Sequence, residues 1–290
     1  MSAGRVLLTG GSGLIGRHVG AALRALDYEV VAVSRRPGCM TGNLLDDPEG
    51  IVVRAGADHL IHLAWHDGPD RWSAPENLDW VGASLRLLRA FAEAGGTRAV
   101  MVGSCAEYDW SGGRLSETTP LRPATLYGAA KAATAMAALA GAGAMGVSLA
   151  WARPFFCYGP GEPKGRLFGD LIKGLAAGEA VECTDGLQRR DFLHAEDIAG
   201  ALVRLLASGA EGAVNIGSGH AVAVRDMIAT IARDMGREDL VRLGARPRPV
   251  GDPALIEADV TRLSADVGFH PRYDMETGIR AVLKAEGVIR

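Results

Sequence analysis

The chain has 290 residues, of which 48% are hydrophobic, and its 31 basic and 34 acidic residues leave a net charge of −3. This length is enough for a large buried core, in one domain or in a domain that carries a smaller lobe. Because neither sign of charge forms a long run, the composition argues against a nucleic-acid-binding protein and against a basic membrane-binding helix, and it favours a small-molecule substrate as the partner.

The cysteines and the N-terminal residues indicate the cellular compartment in which the protein is expected to function. The four cysteines lie far apart, without a C-x-x-C pair or a His at zinc-finger spacing, so we interpret them as reduced thiols and predict no metal site. The first residues do not have the pattern of a signal peptide, which favours the cytoplasm. Residues 132–152 contain no charge, but their Ala and Gly content favours a helix and a strand over a membrane span.

Short apolar runs alternate with segments of helical length along the chain. The runs are typical of parallel strands that are buried on both faces, at 5–9, 29–34, 59–64, 99–104, 146–152 and 213–216. Helical apolar spacing is found at 14–26, 75–94 and 126–140. The βαβαβ order predicts an α/β fold with a doubly wound parallel Rossmann sheet.

A glycine-rich loop directly follows the first predicted strand. Gly10, Gly13 and Gly16 stand between that strand and an amphipathic helix. Glycine permits a tight turn and close approach of the backbone to a pyrophosphate, and the helix N-terminus directs unpaired N–H groups at the phosphates. The pattern predicts a nicotinamide dinucleotide site, and the alternative is a glycine turn without a ligand.

The end of the second predicted strand bears on the choice of cofactor. An Asp or Glu at this point would bind the ribose 2′-hydroxyl of NAD, but the sequence has Ser34, Arg35 and Arg36. Guanidinium groups suit a 2′-phosphate, so we predict NADP, with NAD as the alternative. In that alternative the two arginines are solvated loop charges.

Three residues are predicted to form a catalytic set. Tyr127 and Lys131 are one turn apart on the predicted helix 126–140, and Ser104 ends the predicted strand 99–104. An ammonium group and an oxidised nicotinamide both favour phenolate, so Lys131 is expected to lower the pKa of Tyr127. Ser104 is expected to hydrogen-bond the substrate oxygen that exchanges a proton with Tyr127.

With these motifs the chain resembles the extended short-chain dehydrogenase/reductases, in particular their nucleotide-sugar epimerase/dehydratase branch. The resemblance extends over nearly the whole chain. Its further motifs are His62-Leu63-Ala64, Arg153-Pro154, Tyr158-Gly159-Pro160-Gly161, Arg190-Asp191-Phe192-Leu193-His194 with Asp197, and Asn215-Ile216-Gly217-Ser218-Gly219.

The resemblance implies roles for particular residues. Tyr127 is the acid/base, Lys131 binds the nicotinamide ribose, and Ser104 orients the substrate. Asn43 stands where the family often has an Asp that faces the adenine. The predicted cofactor-binding residues are Gly10, Gly13, Leu14, Ile15, Gly16, Ser34, Arg35, Arg36, Asn43, Leu44, Leu63, Ala64, Tyr127, Lys131 and Pro154. The resemblance also implies a homodimer formed through the two long predicted helices, 75–94 and 126–140, and the alternative is that their Ala-rich faces pack inside one subunit.

A nucleotide-sugar substrate is implied as well. Arg190 and Arg248 match family arginines that contact its diphosphate, and paired guanidinium hydrogen bonds suit that group. The alternatives are an ion pair of Arg190 with Asp191 or Asp197, and a solvated loop position for Arg248. Phe156 stands where many members have a diphosphate-binding Asn, which argues for a different placement of the substrate or for another substrate class.

Residues that follow strand ends are predicted to line the sugar pocket, because such loops carry specificity. Among them we select Trp65 and Glu107 as substrate-binding residues, and the alternative is a solvated loop with one packed aromatic residue. We expect residues 1–159 with 190–219 to form the dinucleotide-binding domain. The segments 160–189 and 220–290 contain more Pro, Gly and charge and are expected to form a smaller substrate-binding lobe.

Departures from the family pattern narrow the expected reaction. Cys105 and Ala106 occupy the positions of the Asp-Glu pair of 4,6-dehydratases, so elimination is not expected. A Cys/His pair for epimerisation beside the carbonyl cannot be placed. We predict NADPH-dependent reduction of a nucleotide-linked 4-keto-6-deoxy sugar. The alternatives are an NAD-dependent 4-epimerase and, from another class, an NADP-sensing regulator without turnover.

Overall fold

The structure is a computed structural model that describes residues 3–34, 39–163 and 165–290. In these ranges the strands are β1 (Arg5–Thr9), β2 (Glu29–Ser34), β3 (Met40–Thr41), β4 (His59–His62), β5 (Arg98–Val102), β6 (Arg114–Leu115), β7 (Ser148–Pro154), β8 (Phe156–Tyr158), β9 (Val181–Glu182), β10 (Arg189–His194), β11 (Gly212–Ile216), β12 (Ala221–Ala223), β13 (Val241–Arg242) and β14 (Leu255–Ala258).

The helices in the same ranges are α1 (Gly16–Arg24), α2 (Pro48–Ala55), α3 (Glu76–Glu93), α4 (Leu126–Ala142), α5 (Leu167–Ala176), α6 (Ala195–Ala207), α7 (Val224–Met235), α8 (Thr261–Ala265) and α9 (Met275–Ala285). Short 3-10 helices lie at Cys105–Glu107, Trp110–Gly112, Gly143–Met145 and Glu238–Leu240. Within the described ranges, no helix combines the length and the apolar content needed to cross a bilayer.

Seven strands form the main sheet in the order β11-β7-β5-β4-β1-β2-β3, and all its pairings are parallel. From β1 the chain first adds β2 and β3 on one side and then β4, β5, β7 and β11 on the other. This reversal opens a crevice at the carboxyl ends of β1 and β4, where ligands bind in such sheets. The predicted doubly wound parallel Rossmann sheet is confirmed.

Helices cover both faces of the main sheet, which explains its uninterrupted apolar strands. On one face Val19 of α1 and Ile198 of α6 pack on the sheet, and on the other Ile51 of α2, Phe91 of α3 and Ala135 of α4 do so. The side of α3 and α4 that faces away from the sheet carries the exposed Leu78 and Met136. A homodimer through these two helices stays a prediction.

A second sheet lies beyond the carboxyl ends of the first. Its order is β12-β10-β14-β6, with β8 paired to β10. Helices α5, α7 and α9 share a separate core that includes Phe168, Ile228 and Ile279. Of the segment 190–219, α6 and β11 pack with the main sheet, whereas β10 belongs to the second sheet.

Candidate active site

A cavity of about 1480 Å³ runs along the carboxyl ends of the main sheet. A site for one drug-sized ligand occupies roughly 300–1,000 Å³, so this cavity has room for two such ligands. Its wall includes the glycine loop, Ser104, Tyr127 and Lys131 on one side and residues of α5 and β10 on the other.

The glycine loop forms a close backbone cradle between β1 and α1. Gly10 has φ +70°, and a Cβ there would lie 2.8 Å from the main-chain nitrogen of Ala64. A Cβ on Gly16 would collide with the carbonyl oxygen of Gly10. Within the described part of the chain, no side chain caps the N-terminus of α1 and no acidic residue stands in its first turn. Uncapped N–H groups at the cavity wall fit the pyrophosphate of a dinucleotide.

Replacing Gly16 with Ala tests this cradle. Because the new methyl group must displace the carbonyl of Gly10, we expect NADPH affinity to fall at least tenfold and the free energy of unfolding to fall by about 1–3 kcal/mol. Fluorescence titration and urea unfolding measure the two effects. Gly20→Ala, in the same helix, is the matched control. Its Cβ meets nothing closer than 3.4 Å, so it should bind NADPH normally and gain up to about 1 kcal/mol. Equal NADPH affinity in both variants would contradict the assignment.

The other predicted cofactor residues that the structure describes also line the cavity, namely Leu14, Ile15, Ser34, Asn43, Leu44, Leu63, Ala64 and Pro154. Ser34 Oγ donates to Ser12 Oγ at 3.4 Å, and Asn43 Nδ2 donates to Asp46 at 2.6 Å. Arg35 and Arg36 lie outside the described residues. NADP therefore stays a prediction.

Ser104 is placed by the end of β5. The strand ends at Val102, two residues earlier than predicted, and Ser104 is the N-cap of the 3-10 helix Cys105–Glu107. Its Oγ accepts a hydrogen bond from the main-chain nitrogen of Ala106 at 3.2 Å. Because that bond uses an oxygen lone pair, the hydroxyl keeps its hydrogen for donation to another acceptor.

Tyr127 is brought against this turn by the start of α4. Thr125 caps the helix by accepting from the Gly128 nitrogen at 3.1 Å, and the Tyr127 nitrogen donates to the Trp72 carbonyl at 3.2 Å. Gly128 is required for the approach, because a Cβ there would collide with the carbonyl of Ala106. The predicted catalytic residues Ser104 and Tyr127 therefore share one wall of the cavity.

Lys131 follows one turn along α4 and is almost completely buried. Its Nζ donates to the Val102 carbonyl at 2.8 Å and lies 3.7 Å from the centre of the Trp65 ring, a cation–π distance. Burial lowers the pKa of Lys131 to about 7, against the opposing charge of Glu107. The amine therefore changes charge near neutral pH.

The pKa of Tyr127 does not shift in the predicted direction. Burial raises it to about 12, and the hydrogen bond with Ser104 opposes the shift. The fold alone does not produce the expected lowering, because burial disfavours the phenolate and the ammonium alike. The combined effect of Lys131 and an oxidised nicotinamide stays a prediction. Tyr127 is a neutral phenol at neutral pH, which suits a proton donor.

A buried polar chain supports the strand ends behind the cavity wall. His62 Nδ1 is 2.7 Å from Thr9 Oγ1, and His62 Nε2 is 2.9 Å from Ser84 Oγ. Burial and the charge of Lys131 lower the pKa of His62 to about 3, so the imidazole is neutral. Thr9 Oγ1 also accepts from the Ala64 nitrogen at 3.3 Å. The chain ties β1, β4 and α3 together.

Glu107 is not a wall residue. Its side chain is fully buried beneath the Ser104 turn and pairs with Arg153 at 2.6 Å. The prediction that Glu107 binds the substrate is therefore wrong. Its position in a loop after a strand suggested exposure, but the 3-10 helix turns the carboxylate inward.

The two predicted diphosphate-binding arginines share one carboxylate. Arg190 lines the cavity and pairs with Asp252. Arg248 does not line the cavity, but its Nη2 lies 3.5 Å from the same carboxylate. Asp191 and Asp197, the alternative partners of Arg190, instead accept main-chain hydrogen bonds at 2.7 Å and 3.0 Å respectively. Arg248 Nε also lies 3.9 Å from Asp185, so the two guanidinium groups stand side by side against two carboxylates.

Three further arginines that the sequence did not predict line the cavity, namely Arg71, Arg166 and Arg246, and of these Arg246 lies 3.7 Å from Glu182. The Arg71 Cζ lies 4.9 Å from the Trp72 ring centre, and that ring is 5.3 Å from the ring of Tyr127. Burial and the charge of Arg166 lower the pKa of Arg71. Among the described residues, no carboxylate lies within ion-pair distance of Arg71 or Arg166. The sequence signal was weak, because isolated arginines in loops are usually solvated.

Comparison with known proteins agrees with this geometry. Residues 6–217 match the model of the NAD dependent epimerase/dehydratase family. The chain is 27% identical to the dTDP-4-dehydro-6-deoxy-D-allose reductase of Streptomyces bikiniensis, over 96% of this chain and 94% of that protein. It is also 27% identical to the UDP-glucose 4-epimerase of Azospirillum brasilense, over 95% of this chain and 89% of that one.

Among solved structures, that of MoeE5 in complex with UDP-glucuronic acid and NAD superposes with a TM-score of 0.87. The two chains are 33% identical, and the match covers 97% of this chain and 98% of MoeE5. Its fold, its cavity and these matches establish that the chain belongs to the NAD-dependent epimerase/dehydratase family of extended short-chain dehydrogenase/reductases, a family of nucleotide-sugar-modifying enzymes.

Proposed function

We propose that the protein catalyses the NADPH-dependent reduction of a nucleotide-linked 4-keto-6-deoxy sugar. The observation that carries this proposal is the neutral phenol of Tyr127, held beside a Ser104 hydroxyl that is able to donate. Carbonyl reduction needs a proton donor at its start, and a phenol meets that need without prior protonation. The similarity to dTDP-4-dehydro-6-deoxy-D-allose reductases supports the same choice.

The chain's own residues handle the proton. A dinucleotide whose pyrophosphate is held at the glycine cradle would supply the hydride from its nicotinamide. Ser104 donates a hydrogen bond to the substrate carbonyl oxygen and holds it beside Tyr127. As negative charge develops on that oxygen, the Tyr127 O–H bond breaks and the proton forms the new alcohol O–H bond. The ammonium form of Lys131 then stabilises the tyrosine phenolate.

We assign the nucleotide-sugar diphosphate to the guanidinium groups of Arg190 and Arg248. Arg190 stands at the cavity wall, and Arg248 lies against the same Asp252 carboxylate, so a diphosphate would meet two neighbouring guanidinium groups. Trp65, whose indole nitrogen donates to Asn77 at 2.8 Å, is a rigid wall for the sugar. In this assignment residues 1–159 with 190–219 hold the cofactor and contribute Trp65 and Arg190 to the substrate site, and 160–189 with 220–290 form the rest of that site.

A 4-epimerase acting on a nucleotide-linked acidic sugar is the second candidate. The specific observation in its favour is the pair Arg71 and Arg166, which lie near Tyr127 with no carboxylate within ion-pair distance among the described residues and would suit a sugar carboxylate. The similarity to MoeE5, whose structure holds UDP-glucuronic acid and NAD, points the same way.

One experiment separates the two candidates. Freshly purified protein is denatured to identify any released nucleotide, and intact protein is mixed with a dTDP-linked 4-keto-6-deoxyhexose and NADPH or NADH. We expect that denaturation releases no nucleotide and that the absorbance of NADPH at 340 nm falls when the keto sugar is added. With NADH the absorbance should fall more slowly. Bound NAD, together with conversion of UDP-glucuronic acid to its C4 epimer without added cofactor, would replace the reductase with the epimerase.

A further inference from the structure

Glu107 is a buried carboxylate at the back of the catalytic wall. Its oxygens accept from the Ser104 main-chain nitrogen at 2.8 Å, from Trp151 Nε1 at 3.0 Å and from Arg153 Nε at 2.6 Å. A Cβ on Gly103 would collide with this carboxylate, so glycine at that position is what lets Glu107 reach the turn. The carboxylate is thus bonded directly to the residue that orients the substrate.

The partner of Glu107 is anchored in turn. Arg153 Nη1 donates to the Tyr108 hydroxyl at 3.0 Å, and that hydroxyl donates to Asn215 Oδ1 at 2.7 Å. Asn215 Nδ2 donates to the Leu115 carbonyl at 2.8 Å. The network links the 3-10 helix of Ser104 to β7, β11 and β6, and a satisfied network of this kind resists small displacements.

Two oppositely charged side chains hold the same short turn. The ammonium of Lys131 binds the carbonyl of Val102, and Glu107 binds the N–H of Ser104, two residues further on. Around Lys131, His62 and Tyr127 are both neutral. This leaves Glu107 as the anion that favours the Lys131 ammonium.

We propose that Glu107 is a positioning residue for the reaction, which together with Lys131 clamps the turn 102–104 so that the Ser104 hydroxyl faces the substrate oxygen. The Ser104 hydroxyl depends on its main chain, because Oγ is oriented by the Ala106 N–H of the same capped turn. A shift of about 1 Å in a substrate-positioning group is enough to cost a hundredfold in rate. The expected loss of kcat in Glu107 variants rests on the proposed reduction. The expected change in the Lys131 titration does not.

The test combines a double-mutant cycle with a titration. Glu107→Gln removes the charge and keeps an acceptor, and Glu107→Asp keeps the charge but shortens the reach to Ser104. We expect either change to lower kcat for the keto sugar at least tenfold in the wild-type background and less than twofold in a Ser104→Ala background. The KM for NADPH of both Glu107 variants should stay within threefold of the wild-type value. Equal losses in both backgrounds would overturn the proposal, because an effect through general destabilisation does not depend on Ser104.

The second measurement needs neither substrate nor cofactor. The chain has four lysines, so NMR of protein labelled at lysine Cε follows Lys131, which a Lys131→Arg spectrum assigns. We expect Glu107→Gln to move the Lys131 titration at least half a pH unit lower and Glu107→Asp to move it less. An unchanged midpoint in Glu107→Gln overturns the clamp even if the protein acts on another sugar.

Asp197→Asn is the matched control for folding. Asp197 is also a buried carboxylate and accepts from the main-chain nitrogens of Arg272 and Tyr273 at 3.1 Å and 3.0 Å, but it lies outside the cavity wall. It should lose stability without moving the Lys131 titration. If Glu107→Gln does not fold, the cycle and the titration are carried out with Glu107→Asp, and a kcat loss that persists in Ser104→Ala overturns the proposal.

Discussion

A Tyr127→Phe variant is expected to lose about a thousandfold in kcat while it binds NADPH and nucleotide sugar as the wild type does. The substitution removes only the hydroxyl that donates the proton, and general acid catalysis contributes roughly 10²–10⁴-fold. The edge-on ring contact with Trp72 and the main-chain bond to the Trp72 carbonyl do not involve that hydroxyl, so the folded structure should persist. Steady-state kinetics and equilibrium titrations of both ligands provide the measurement.

Tyr28→Phe is the control for this prediction, because Tyr28 packs edge-on against His59 at the opposite end of the strands. It should retain full activity. If Tyr127→Phe kept more than a tenth of the wild-type kcat, the proton would have to come from another group, and the role assigned to the phenol would be lost.

A Lys131→Met variant is expected to lose at least a hundredfold in kcat and yet to be more stable than the wild type at pH 6. Burial lowers the pKa of Lys131 from its usual 10.5 to about 7, which corresponds to a penalty on the order of 4–5 kcal/mol for the buried ammonium. Methionine keeps the apolar contact with Trp65, but it leaves the Val102 carbonyl without its donor, a loss of about 1–3 kcal/mol. The net gain in the free energy of unfolding should be about 1–4 kcal/mol at pH 6, measured by urea unfolding.

The stability advantage of Lys131→Met should disappear at alkaline pH. Below pH 7 the lysine is charged in both the folded and the unfolded state, so its penalty is complete. Between pH 7 and 10.5 the folded protein holds the neutral amine while the unfolded chain still binds the proton. Unfolding then takes up a proton, and the stability of the wild type rises by about 1.4 kcal/mol per pH unit relative to the variant.

Unfolding measured at pH 6, 8 and 9.5 shows whether the two stability curves converge. Lys284→Met, which changes an exposed lysine, should run parallel to the wild type over the same range. If the free energies of unfolding of wild type and Lys131→Met changed in parallel with pH, the folded protein would hold Lys131 as an ammonium over the whole range. The lowered pKa of Lys131 would then be contradicted.

Local patterns in the sequence were enough to predict the main sheet, and they selected Ser104, Tyr127 and Lys131, which all line the cavity. Every strand of that sheet except the two-residue β3 was predicted, because strands buried on both faces appear as continuous apolar runs. Helices α1, α3 and α4 were predicted from their apolar spacing. The helices α2 and α5 to α9 were not, and neither was the second sheet, whose strands are short and mixed in polarity.

Local sequence patterns did not predict where strand β5 ends. The apolar run through Gly103 predicted a strand to Ser104, but the chain turns after Val102 and Ser104 caps a 3-10 helix. That turn decides the direction in which the Ser104 hydroxyl donates and places Glu107 behind the wall rather than on it. The turn exists because Gly103 admits the Glu107 carboxylate, a contact that a strand pattern does not encode.

The sequence by itself determined the glycine loop between a strand and a helix, and the one-turn spacing of Tyr127 and Lys131, because these relations join neighbours along a single stretch of chain. The tertiary structure decided the charge state of the site. Glu107 pairs with Arg153 across 46 positions, and Arg190 pairs with Asp252 across 62. Burial and ion pairing depend on which distant segments the fold brings together, and they reverse the expected pKa shift of Tyr127 because desolvation outweighs the charge of its neighbour.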